Sequence, residues 1–137
     1  NTNKFRMRKT TILILFCLVQ LSSFSQNIGD IPSGINLALK EGNAKDLCNY
    51  MNSNVEMVIV EKEGIYNKVQ AEMILKDFFS KNPPRKFSLL HQGGKAESKY
   101  GIGNLVTSEH TYRVYFLLKT TNGKPLIHQF RIETEND

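Results

Sequence analysis

The dipeptide Asn122-Gly123 lies between two apolar-rich runs, and no other feature of the chain limits its fold as strongly. Both residues tolerate positive φ, so the pair predicts a tight reversal between two antiparallel strands spanning Thr111 to Glu133. Side chains alternate between faces along a strand. On the first strand Tyr112, Val114, Phe116 and Leu118 share a face; on the second Leu126, His128, Phe130 and Ile132 do. A two-residue loop pairs Phe116 with Gln129 and sets an apolar face beside a polar one. A three-residue loop, Thr121-Asn122-Gly123 with a bulge at Gly123, pairs Phe116 with His128 and brings the apolar faces together. A one-residue slip inverts every side chain, so parity predicts the three-residue loop. The predicted core face is then Tyr112, Val114, Phe116, Leu118, Leu126, Phe130 and Ile132, with His128 among them. The other face carries Tyr115, Leu117 and Ile127 within a ring of Arg113, Gln129 and Arg131, too apolar for a solvated surface and too polar for a core.

The rest of the chain supplies elements to cover that hairpin. Ile31, Ile35, Ala38 and Leu39 form one helical stripe behind a cap at Asp30, and Gly42 stops it. Asn43 with Asp46 starts a short second helix through Met51. Val55–Val60 has the β-branched profile of a strand, Glu61 to Gly64 a charged turn, and Ile65-Tyr66 a short return. Asn67 and Gln70 hold the spacing of a capping box for a third helix, whose stripe is Ala71, Ile74, Leu75 and Phe78, widened by Phe79. Pro83-Pro84 ends it. From Lys86 the period switches to two. Phe87–His91 reads as a strand, Gln92–Ser98 as a loop and Lys99–Thr107 as a strand, in which Gly101 and Gly103 mark a bend or a close approach to the backbone. The order α-α-β-β-α-β-β-β-β predicts an α+β fold: a curved antiparallel sheet with the N-terminal helices and one long helix on its concave face. Such a sheet leaves a cone-shaped space beneath the helices.

The first methionine is Met7, which leaves residues 1–6 as an upstream segment. Met7-Arg8-Lys9 leads into the apolar run Thr11–Leu21, and Ser23-Phe24-Ser25 places small residues on either side of a bulky one. This is the pattern of a signal peptide cut between Ser25 and Gln26. The run is shorter than the ~20 residues a spanning helix needs. Phe16 before Cys17 is too bulky for a lipoprotein site. The chain is therefore divided into residues 1–25, upstream segment and leader, and residues 26–137, one domain whose end point is export to the periplasm or beyond. Removing the leader takes away Lys4, Arg6, Arg8 and Lys9 and lowers the formal net charge from +5 to +1. Nucleic-acid binding, which needs clustered positive charge, loses its support, as does any membrane association after cleavage. Only Cys48 survives cleavage, so no internal disulfide is expected.

Several residues are candidates for a site. His128 on the predicted core face is either a pocket base, since a half-buried imidazole is tunable near neutrality, or a buried histidine satisfied by a neighbour. His91 either lines a pocket wall or ends a strand. Tyr100, Asn104 and Tyr112 would place a few polar groups against apolar walls, as pockets do, or serve the strands alone. His91, His110 and His128 lack the close spacing of a metal site, and no metal is expected. Cys48 among apolar helix neighbours reads as a small buried hydrophobe. Gly93-Gly94-Lys95-Ala96 lacks the upstream Gly and the Ser/Thr of a phosphate loop, and Gly101-Ile102-Gly103 lies inside a strand. Lys81, Arg85, Lys86, Lys95 and Lys99 read as solvated surface. No catalytic residue and no cofactor is assigned. Tyr115, Leu117 and Ile127 are the interface candidates, because exposed apolar groups with a polar rim mark contact surfaces.

The segments Tyr66-Asn67-Lys68-Val69-Gln70-Ala71, Phe78-Phe79, His91-Gln92-Gly93, Tyr100-Gly101-Ile102-Gly103 and Tyr112-Arg113-Val114-Tyr115 resemble an uncharacterised family of exported bacterial domains of unknown function. That family has the nuclear-transport-factor-2-like, cystatin-like cone fold, and the resemblance runs from about Ile31 to Glu133. The wider superfamily implies several functions, among them ketosteroid-isomerase-like and dehydratase-like enzymes, binding modules and dimerisation domains, so the fold alone does not choose. Those enzymes use an acidic or His–Asp pair with a Tyr donor at the base of the cone, and no such set is placed in this sequence. The leading expectation is an exported non-catalytic binding or dimerisation module. It would hold a small apolar ligand in the cone and form a homodimer through the outer sheet face. The alternatives are an isomerase- or dehydratase-like enzyme using a pocket His with a Tyr donor, and a purely structural domain whose cone is filled by its own side chains.

Overall fold

A computed structural model describes residues 31–135, so the leader pattern and the Asp30 cap lie outside the described residues. Helix α1 (Ser33–Glu41) begins after Pro32 and ends on Gly42, whose left-handed backbone returns its N–H to Ala38 and Leu39. Helix α2 (Ala44–Cys48) is capped by the Asn43 side chain, which accepts from the Asp46 N–H at 3.0 Å. Strands β1 (Met51–Ile59) and β2 (Lys62–Asn67) follow, then α3 (Lys68–Lys81). The capping box is present in full: Asn67 accepts from the Gln70 N–H at 2.9 Å and Gln70 accepts from the Asn67 N–H at 3.1 Å. Four long strands complete the domain: β3 (Pro84–Lys95), β4 (Ser98–Thr107), β5 (Thr111–Thr121) and β6 (Lys124–Thr134). Most of the segment predicted as a loop, Gln92–Ser98, is strand, with the reversal confined to a tight turn after Lys95.

The strands form one six-stranded sheet in the order β2-β1-β6-β5-β4-β3, with helices over one face. The α+β architecture is as the pattern of elements predicts. One detail differs: β1 lies parallel to β6, while every other pair is antiparallel. A parallel neighbour needs a long crossover, and the chain from β2 through α3 to β5 provides it. The space under the helices is packed with Phe116, Phe130, Leu39, Leu47, Met57 and Leu75, all fully buried. The predicted close approach at Gly101 and Gly103 is real. The ring of Phe116 lies against Gly101 and that of Phe87 against Gly103, where a methyl group would overlap either ring.

The β5–β6 hairpin corrects the parity argument. Thr121 pairs with Lys124, so Asn122-Gly123 is a two-residue loop with φ of 51° and 75°, the conformation this dipeptide favours. The register then shifts by one between Leu117 and Leu118, which pair with Gln129 and Ile127 and leave His128 as the extra residue of a β-bulge. The slip needed to match the apolar faces thus occurs inside β6 and not at the turn. Beyond it Phe116 faces Phe130 and Val114 faces Ile132, as the core requires. Between the bulge and the turn the faces are exchanged. Ile127, predicted on the outer face, is fully buried, and Leu126, predicted in the core, pairs with exposed Lys119.

Candidate functional site

Helix α3 leaves β2 at Asn67 and runs back across the sheet, and the two elements enclose a groove of about 510 Å³. Ile59, Ile74 and Phe78 make its floor, Tyr66 and Met73 its walls. Tyr66 lies over Gly64, where a methyl group would strike its ring, and its hydroxyl donates to the Glu63 carbonyl at 3.3 Å. Gln70, one turn into α3, stands near the Asn67 joint. Lys62, at the far end of β2, and Asp77, Lys81 and Asn82, at the far end of α3, form the mouth. Lys81 donates to Asp77 at 3.0 Å across one helical turn, an exposed pair that adds little stability.

Asn82 fixes the end of α3 to the sheet. Its backbone N–H and Nδ2 both donate to the Phe78 carbonyl, at 2.8 and 3.1 Å, while its Oδ1 accepts from the Tyr112 hydroxyl at 2.9 Å. The Tyr112 ring meets Phe78 edge-on, with centroids 5.2 Å apart. Burial, reinforced by Glu109, raises the Tyr112 pKa above its usual value, so the hydroxyl stays a donor at neutral pH.

Val60 closes the β1–β2 turn and lines the groove. Its φ is 56°, a left-handed conformation that costs a β-branched residue about 1–2 kcal/mol. Its N–H donates to the Ile132 carbonyl at 2.7 Å, which anchors the turn to β6. Large apolar side chains left exposed among the described residues are Leu37, Val60, Ile65, Val69, Met73 and Leu90. Four of them, at 38, 74, 68 and 67%, lie on the β1–β2 turn, β2 and the first half of α3. This concentration was missed in the sequence because periodicity credits a helix only with its core stripe. The signals were present as Val69 and Met73 off that stripe and as a valine in a tight turn.

The five predicted pocket residues are not brought together. Gly103 and Leu105 face inward, so Tyr100, Ile102, Asn104 and Val106 face outward, and His91 pairs with Ile102 on that side. His128 is also outward, on the bulge. Its Nε2 lies 3.3 Å from the Thr121 hydroxyl, and burial together with nearby Lys119 lowers its pKa, keeping it neutral at pH 7. Its predicted place on the core face is therefore corrected by the bulge. Tyr112 alone points inward, behind the groove floor. Asn104 Oδ1 is sealed from solvent and has no hydrogen-bond partner among the described residues. Of the interface candidates, Tyr115 and Leu117 are half-buried on the outer face, whereas Ile127 is in the core and offers nothing to a partner. Among the described residues no histidine lines the groove and no cluster suits a metal ion. Burial, with help from Glu72 against Lys68, pushes the Cys48 thiol up to about 11, so it is not a thiolate nucleophile. No helix among the described residues is long and apolar enough to cross a membrane.

A family profile described as a domain of unknown function, DUF4783, matches residues 32–133. A DUF4783 family protein from Bacteroides ovatus ATCC 8483 has 36% sequence identity and a TM-score of 0.74, with 78% of this chain and 97% of that one covered. A second, from Bacteroides uniformis ATCC 8492, has 33% identity and a TM-score of 0.75 over 79% of this chain and 100% of that one. A nuclear-transport-factor-2-like protein of unknown function from Shewanella baltica OS155, at 14% identity, has a TM-score of 0.61 over 77% of this chain and 88% of that one, and shares the fold alone. Among curated proteins no match was found.

Proposed function

The chain belongs to the DUF4783 family, a domain of unknown function, and from that premise we propose that it is an exported, non-catalytic binding module that holds a small apolar molecule between β2 and α3. The observation that carries this reading is the gathering of exposed Val60 and Met73 around a groove with an apolar floor. Exposed apolar surface is costly unless something covers it, and a volume of this size suits a small ligand. The enzyme alternative needs a base within hydrogen-bond reach of the substrate. The histidines stand away from the groove, and the Tyr112 hydroxyl is already bonded to Asn82.

Native mass spectrometry of the protein from its own host tests the binding reading. A retained small molecule supports it. A bare chain whose backbone resonances do not move on titration with 1-octanol overturns it. Export rests on the leader pattern of residues 7–25. N-terminal sequencing of the secreted chain is expected to begin at Gln26, and a cytoplasmic chain of full length overturns export.

Assembly is a separate matter. The outer face, with Tyr115 and Leu117 half-buried beside exposed Arg113 and Arg131, supports a homodimer across the sheet. Leu117→Glu is expected to leave a folded monomer. Unchanged elution on sizing with unchanged circular dichroism counts against that face.

A further inference from the structure

We propose that the groove is a site for a single-chain aliphatic carboxylate, its tail over Ile74 and Phe78 and its head between Lys62 and Lys81. The inference rests on the groove being a binding site at all, and adds to it the class of ligand. Charge at the mouth is the first observation. Lys81 already holds Asp77 at 3.0 Å, while Lys62 has no ion-pair partner among the described residues, so the mouth carries a net positive charge. Asn82 is occupied, since Oδ1 accepts from Tyr112 and Nδ2 donates to Phe78. A neutral apolar ligand leaves Lys62 unused, and a cationic one meets repulsion. Deeper in the groove the polar groups are Gln70, near the joint, and the Tyr66 hydroxyl, already bonded to Glu63; the remainder of the surface is alkyl and aromatic. An unbranched chain with one anionic end matches that distribution.

The backbone of Val60 is the second observation. The β5–β6 turn places Asn at a φ of 51°, which Asn adopts readily, whereas the β1–β2 turn places valine at 56°. Strain of this kind is kept where the side chain is used. Here the isopropyl group rims the mouth, two residues from Lys62.

The test titrates the purified protein with octanoate, 1-octanol and octylammonium at low salt, followed by amide resonances. Octanoate and octanol are both expected to shift Val60, Tyr66, Met73 and Ile74. Octanoate should bind about fivefold tighter, the upper end of what an exposed ion pair provides. Lys62→Met should abolish the preference for octanoate over octanol, bringing the two to equal affinity. Each methylene from hexanoate upward should tighten binding about fourfold until the floor is covered. Equal affinity for octanoate and octanol, or tighter binding of octylammonium, overturns the carboxylate assignment and leaves the groove as a site. If none of the probes shifts those residues, the groove reading falls with it.

Discussion

The β5–β6 and β1–β2 hairpins both reverse through two residues, the first of them at positive φ, yet they serve opposite ends. The β5–β6 hairpin has a sequence suited to its turn, strands flanked on both sides, and an inner face sealed around Phe116 and Phe130. The β1–β2 hairpin forces a valine into the turn and ends in a six-residue edge strand. The inner face of β2 is only partly roofed by α3, and Ile65 on its other face is exposed. Consistency between local preference and tertiary position makes the first hairpin the stable centre. The second departs from local preference at the place where apolar surface is left open, which is where such departures concentrate.

The sharpest test of that contrast is truncation of the two inner faces. Phe130→Ala is expected to cost about 3–5 kcal/mol in urea unfolding. Tyr66→Ala should cost less than half as much, and equal losses would erase the distinction. Exchanging the turn residues comes next. Asn122→Val should destabilise by about 1–2 kcal/mol, because it puts a β-branched residue where Asn is comfortable. Val60→Asn should stabilise by about 1 kcal/mol and at the same time weaken octanol binding. If Val60→Asn destabilises, packing and not function retains the valine.

Tyr112 joins the two regions, since it stands on β5 and holds the end of α3 through Asn82. Tyr112→Phe is expected to cost about 1 kcal/mol. Its raised pKa favours the folded state while the hydroxyl is protonated. That contribution is fully present below the ordinary value of 10.0 and is lost as pH rises through the folded pKa, so the variant should lack this alkaline loss. The smallest effect belongs to the bulge. His128 resists protonation in the folded state, so its contribution is fully present above 6.5 and is lost as pH falls through its lower folded pKa. His128→Asn should flatten that part of the stability profile, measured by urea midpoints across the acid range.

What could be read in the chain beforehand was whatever a few neighbouring residues decide. The Asn67–Gln70 box, the Asn122-Gly123 reversal, the glycine pair in β4 as a mark of a bend or close approach, and the order of helices and strands all belong to that class. They follow from side-chain reach, allowed φ and periodicity, which are complete within a short window. The position of the one-residue slip in β6 was not of that kind. Parity along a strand demands that an extra residue be placed somewhere, but a turn bulge at Gly123 and an internal bulge at His128 satisfy it equally. The choice exchanged Ile127 with Leu126 and moved the imidazole to the opposite face. The parallel seating of β1 on β6 and the gap between β2 and α3 depend likewise on pairings between residues far apart in the chain. Local chemistry set the pieces; the joint closure of six strands against three helices decided which apolar side chains remained outside.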